Sequence, residues 1–107
     1  MRIDVLSIVD CPNSQAVIDQ VHDVLVSLGH PDVPVIELRI TTPEEAAATA
    51  FAGSPTILID GVDIVPGTVL TSSLACRIYR TDTGIAGHPT TAQIVEAIRS
   101  HRPGRGD

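Results

Sequence analysis

The bond between Ser54 and Pro55 constrains this chain most. It stands inside the stretch from Phe51 to Gly61 (FAGSPTILIDG), where a helix end, a proline and a strand are expected to meet. Proline pushes the residue before it out of helical geometry, so Ser54 is expected to be extended. Gly53 is the expected stop of the preceding helix. Thr56 to Ile59 is a short β-branched and apolar run, read as a strand. Asp60-Gly61 is a hairpin signal that turns the chain into a partner strand, Val62 to Val65. A proline at the start of a strand is either trans and merely terminal, or cis, and a cis proline is seldom present without a reason. The cis form is the expectation carried forward.

Upstream, Arg2 to Val9 is apolar on both faces, with Ile3, Val5 and Val9 on one and Leu6 and Ile8 on the other. That pattern suits a central strand covered on both sides. Asp10 to Asn13 interrupts it. From Ser14, apolar residues recur at three- and four-residue steps (Val17, Val21, Val24, Leu25, Leu28) and Gly29 supplies a stop, so a helix is expected. Pro31 to Pro34 turns into a second strand, Val35 to Ile40. Thr42-Pro43-Glu44-Glu45 announces a second helix, with Thr42 as N-cap, Pro43 at the first helical position and Glu45 closing a capping box. The Ala-rich run after it carries that helix towards Gly53. Thr90 and Gln93 repeat the capping-box spacing after Pro89 and open a last helix, with Val95 and Ile98 as core contacts. Arg99 to His101 lie near its end, where positive charge suits the macrodipole. Thr68 to His88 has an apolar middle around Leu74, Ile78 and Tyr79 and carries no single assignment.

A right-handed crossover through the first helix makes the first two strands parallel, whereas the hairpin is antiparallel. The expected fold class is therefore α/β, a mixed four-stranded sheet with about three helices in the order βαβαββα. A chain of 107 residues, 43% hydrophobic, is long enough to close one core without staples. Residues 1–101 are read as that domain and 102–107 as a loose tail.

Composition narrows the chemistry. With one Phe, one Tyr and no Trp, the core must be mainly aliphatic. Acidic residues outnumber basic ones, 13 to 7, for a net charge of −6, which argues against a nucleic-acid partner. No run is long enough to span a bilayer, and the first ten residues lack a signal peptide's apolar core and cleavage pattern. Two cysteines are too few for a secreted disulfide scaffold. The expected location is the cytoplasm, where a cysteine pair is more often reactive or metal-binding than a permanent bridge. No cofactor is expected, since there is no phosphate loop and the four histidines, His22, His30, His88 and His101, are scattered along the chain.

Cys11 stands just before the first helix, where unpaired backbone N–H groups and the positive end of the helix dipole favour a thiolate. Pro12 fits the same place because its missing N–H costs nothing there. The competing reading makes Cys11 a small apolar residue ending a buried strand. Ser14 is either an N-cap or first-turn residue or a chemical participant. Cys76 offers a second sulfur far downstream, and a soft cation such as Hg(II) or Cu(I) favours two thiolates. Its competing reading is a buried, inert residue among Leu74, Ala75 and Ile78. Arg77 and Arg80 flank it and either raise the local positive potential, favouring a thiolate, or, the commoner outcome, lie in solvent, while Tyr79 is read as a packing residue with its hydroxyl satisfied.

Phe51, Gly53, Pro55, Thr56 and Gly61, together with Cys11-Pro12-Asn13-Ser14 between a strand and a helix, resemble the thioredoxin-like superfamily. The resemblance implies that a cis Pro55 sits against Cys11 as an active-site cysteine, with Pro12, Ser54 and Thr56 as substrate-binding neighbours. Ser14 occupies the place of that superfamily's resolving cysteine, and serine cannot close such a bridge. Monothiol glutaredoxins also place Ser there, although CPNS is not their usual motif. A narrower resemblance joins Cys11-x-x-Ser14 to Cys76 in SLACRIYR and the following HPTTAQIVEAI: it is similar to the catalytic domain of alkylmercury (organomercurial) lyases. This implies Cys11 and Cys76 as paired mercury-capturing thiols and Ser14 as the proton-handling residue. The expected activities are thus thiol redox exchange with Cys76 as second thiol, or organomercurial cleavage or soft-metal capture by Cys11 and Cys76, or a non-catalytic binding domain. The implied partners are a small thiol, disulfide or organomercurial, or a protein thiol.

Overall fold

Ile3–Ile8 forms β1, the strand on which the remaining structure is laid, in a computed structural model that describes residues 1–101. The expected tail, 102–107, lies outside the described residues. The chain continues through α1 (Ser14–Ser27), β2 (Val35–Ile40), α2 (Pro43–Ala47), β3 (Thr56–Ile59) and β4 (Val62–Asp63). A small hairpin, β5 (Tyr79–Thr81) and β6 (Gly84–Ala86), precedes α3 (Thr91–Ser100). Four strands make one mixed sheet in the order β2-β1-β3-β4, and β5 and β6 make a separate two-stranded ribbon. β1 runs parallel to β2, Ile3 opposite Val35 and Ile8 opposite Ile40. It runs antiparallel to β3, Ile3 opposite Ile59 and Leu6 opposite Thr56.

Because β1 lies inside the sheet, both of its faces must be covered, and two apolar layers do so. Ile3 and Val5 pack with Ile57 and Ile59 beneath Val17, Val21, Val24 and Leu25 of α1 and Ile94 and Ile98 of α3. On the opposite face Leu6 and Leu58 meet Ile40, Ala46 of α2 and Phe51. Two helices therefore cover one side and a short one the other. Gln20 ties the paired helices at their edge, its Nε2 donating to the Pro89 carbonyl at 3.3 Å and to Thr91 Oγ1 at 3.0 Å. No helix among the described residues is long and apolar enough to cross a membrane.

Local chemistry sets most boundaries. Thr90 Oγ1 accepts from the Gln93 N–H at 3.1 Å while Gln93 Oε1 accepts from the Thr90 N–H at 2.7 Å, the reciprocal cap expected for α3. Ile94 joins the expected core residues of that helix: it is 1% exposed, whereas Val95 is only partly buried. Asp60 and Gly61 both take left-handed backbone angles, φ 49° and 86°, in the tight turn between β3 and β4.

Four expectations need correction. The first strand is expected to reach Val9, on the face of Ile3 and Val5, but β1 ends at Ile8 and Val9 is 53% exposed. The Ala-rich helix does not run to Gly53; α2 stops at Ala47, because Ala46 is its only buried side chain and the chain must leave the helix axis to seat Phe51 in the core. Its capping box is half formed: Thr42 Oγ1 accepts from the Glu45 N–H, but the Glu45 carboxylate reaches Thr41, accepting from its N–H and hydroxyl at 2.7 Å each. These bonds hold the Glu45 carboxyl below its ordinary range. The last hairpin strand is Val62–Asp63, not Val62 to Val65, because the Asp63 carboxylate accepts from the Val65 N–H and turns the chain away. The segment without an assignment supplies β5 and β6, so the order is βαβαββββα.

Candidate thiol site

At the end of β1 the chain reverses through Asp10, which takes φ 62°, a left-handed angle that Asp tolerates better than most residues. Cys11 follows, its N–H donating to the Ile8 carbonyl at 3.4 Å. It is half-buried, its thiol is free, and α1 begins three residues later. Pro12 is exposed beside it. Asn13 occupies the N-cap position of α1 but makes no side-chain capping bond. Its amide instead lies against Gly87 so closely that a Cβ added to that glycine would collide with Asn13 Nδ2. Ser14, the first helical residue, is 8% exposed, and its hydroxyl donates to the Cys11 carbonyl at 3.3 Å.

The Ser54–Pro55 peptide is cis, as expected. Ser54 is fully buried, and its Oγ accepts from the Ile8 N–H at 3.1 Å. Thr56 is fully buried as well: its hydroxyl donates to the Gly53 carbonyl and accepts from the Ala52 N–H at 2.9 Å. Both side chains, expected beside a substrate, are tied to neighbouring backbone.

Ser54 also has a second partner on its other side. Its N–H donates to the Ala75 carbonyl at 2.9 Å and its carbonyl accepts from the Arg77 N–H at 2.8 Å. These two bonds form a parallel bridge between Ser54 and Cys76. Ile8 thus bonds both the Cys11 amide and the Ser54 hydroxyl, while the Ser54 backbone holds the segment carrying Cys76. Cys76 is exposed and free, not buried among its apolar neighbours, and Ile78 beside it is 67% exposed. The alternation of the bridged segment turns Arg77 inward and Ile78 outward.

Arg77 was expected in solvent and is instead the fastening of this segment. Its guanidinium pairs bidentately with the Asp63 carboxylate at 2.8 and 3.2 Å, and the two side chains are only 8% and 11% exposed. Nη2 also donates to Thr68 Oγ1 at 2.9 Å, and the guanidinium carbon lies 4.7 Å from the centre of the Tyr79 ring. Tyr79 is buried with its hydroxyl donating to the Pro55 carbonyl, which agrees with its expected role. Burial pushes its ionisation well above the ordinary phenol range, although the neighbouring Arg77 charge opposes that rise. Gly53 takes φ 105°, and a Cβ there would lie 2.9 Å from Arg77 Cβ, so the glycine admits the segment.

Sequence reasoning missed Asp63, Thr68 and the Asn13–Gly87 contact. The hairpin pattern marks Asp63 only as a polar strand residue, and nothing local in the sequence points it at Arg77. The remaining candidates stand apart from the thiols. Asp60 accepts from the Arg2 N–H and from His101 Nε2, each at 2.8 Å, and these partners lower its carboxyl from the usual range, the His101 bond most. A groove of about 900 Å³ between β4, Arg77–Arg80 and α3 is lined by neither cysteine. Among the described residues no group of three or more His, Cys, Asp and Glu could hold a metal ion.

No protein-family model matches the chain, and neither a curated protein nor a solved structure matches it.

Proposed function

We propose that this is a thioredoxin-like thiol protein in which Cys11 is the attacking sulfur and Cys76 the second thiol of a redox exchange. The observation that carries the reading is the Ser54 bridge: one buried residue holds the Cys76 segment by its backbone and the end of β1, which leads into Cys11, by its side chain. The start of α1 three residues after Cys11 supports the same reading.

The chemistry balances without a cofactor. The Cys11 thiolate attacks a small disulfide, a Cys11–substrate disulfide forms and one substrate thiolate leaves. Cys76 then attacks Cys11 sulfur, a Cys11–Cys76 disulfide forms and the second substrate thiolate leaves. Two electrons pass from the protein thiols to the substrate; one released thiolate takes the Cys76 proton and the other takes a proton from solvent, replacing the one Cys11 lost on ionising. Ser14, with its hydroxyl on the Cys11 carbonyl, positions the loop and takes no proton.

Oxidation of the reduced chain with hydroxyethyl disulfide, followed by peptide mapping, tests this. An intramolecular Cys11–Cys76 peptide pair is expected. Two thiols that stay free, or only intermolecular products, overturn the exchange and leave a binding domain. A second reading rests on the same two free thiols, since a pair of thiolates suits a soft cation. In that reaction the carbon–mercury bond of an organomercurial breaks, the carbon takes a thiol proton, and Hg(II) stays between the sulfurs. Hydrocarbon release on incubation with an organomercurial supports cleavage; Hg(II) binding without it supports capture alone.

A further inference from the structure

An extended residue whose N–H and C=O both point away from the sheet is a docking edge, because any polypeptide can pair with it through its main chain. Ser54 has that arrangement, and both groups are taken by residues 75 and 77 of the same chain. We propose that the segment from Ala75 to Arg77 is a built-in occupant of the Ser54 edge, so that the thiol site takes small thiol-reactive molecules and excludes extended polypeptides. The proposal rests on the reading of Cys11 as the reacting thiol and names the substrate class of that site.

The occupant is fastened independently of its two main-chain bonds. Arg77 anchors it to Asp63 and Thr68, and the Tyr79 hydroxyl anchors its continuation to the Pro55 carbonyl. Upstream, the Thr71 N–H donates to the Phe51 carbonyl at 3.0 Å. An incoming peptide can restore two main-chain bonds but not the buried ion pair, whose guanidinium would be left without its carboxylate. It also competes with a tethered partner, present at an effective concentration of about millimolar or above. A small disulfide or metal species needs none of these groups. It has to reach only the sulfurs, and Cys76 is held at the surface by the same pairing that closes the edge.

The test compares mixed-disulfide formation at Cys11 by hydroxyethyl disulfide and by a disulfide of matched leaving-group acidity set in the middle of an unstructured polypeptide. In the native chain the small reagent is expected to react at least as fast as the polypeptide. Arg77→Ala, or the milder Asp63→Asn, is expected to shift the ratio towards the polypeptide by about tenfold. A native chain that reacts tenfold faster with the polypeptide overturns the proposal, as does a ratio that the folded Asp63→Asn variant leaves unchanged. Hydrogen exchange at the Ser54 and Arg77 amides reads the occupancy without any chemistry at Cys11. Protection at both is expected, and exchange at the rate of open amides removes the occupant. Failure of Cys11 to react with either reagent, with both amides protected, overturns the functional reading and the substrate class while the closed edge stands.

Discussion

Replacing Arg77 by Met is the sharpest probe of what holds the Cys76 segment. The substitution keeps an unbranched apolar side chain and removes the guanidinium, together with its contact over the Tyr79 ring, leaving the Asp63 carboxylate, 11% exposed, without its bidentate partner. Breaking a buried ion pair from one side costs about 3–5 kcal/mol, because the remaining charge is desolvated and uncompensated. Both groups keep a small exposure, which places the loss near the lower end, about 3 kcal/mol. For a domain of this size that corresponds to a fall in Tm of roughly 12–24 °C. Urea denaturation of wild type, Arg77→Met, Asp63→Leu and the double variant gives the four corners of a cycle. The double variant, with neither charge, is expected within about 1 kcal/mol of wild type, so the coupling is large and opposite in sign to the single losses. An Arg77→Met loss below about 1 kcal/mol, or single losses that simply add, would refute the claim that this pair is buried and mutually dependent.

Three further outcomes follow from the same region and from α3. Tyr79 is the chain's one tyrosine, so absorbance near 295 nm reads it alone: its ionisation is raised in the folded state, so stability present below the unfolded phenol value of about 10 is lost as pH rises above it, and tyrosinate appearing near pH 10 in the folded protein contradicts its burial. Gly53→Ala is expected to cost more than Gly61→Ala in thermal melts, since both have positive φ but only Gly53 faces a Cβ contact at 2.9 Å, each strain being on the order of 1–3 kcal/mol; equal losses refute the close approach of Arg77. Thr90→Ala removes the side-chain acceptor of the α3 cap and is expected to cost about 1 kcal/mol by denaturant titration, whereas Thr90→Ser retains most of it.

The elements that could be read from the chain are those whose causes are local. The two-sided apolar pattern of β1, the three- and four-residue spacing from Val17 to Leu28 and the Thr90–Gln93 pair each carry their structural reason within a few residues. α2 was overextended because alanine raises helix propensity without supplying anything to bury, and the seat of Phe51 in the core decided where it ended. The segment from Thr68 to His88 was illegible because its placement depends on single long-range contacts, Arg77 to Asp63, Tyr79 to Pro55 and Cys76 beside Ser54. The candidate site divides in the same way. Cys11 before a helix and Pro55 before a strand were visible as motifs, while the proximity of Cys76 to Ser54 and the inward turn of Arg77 have no periodic signature.

The central position of β1 has a consequence for how the chain acquires its shape. Translation delivers this strand before the elements that cover it: its pairing neighbour β3 and the α3 side chains Ile94 and Ile98 that roof one face come much later. An emerging chain therefore carries an adhesive, two-sided apolar strand with only β2 available to shield one edge. Closure of the aliphatic interior awaits the synthesis of nearly all the described residues, which exposes the nascent chain to mispairing for most of its elongation.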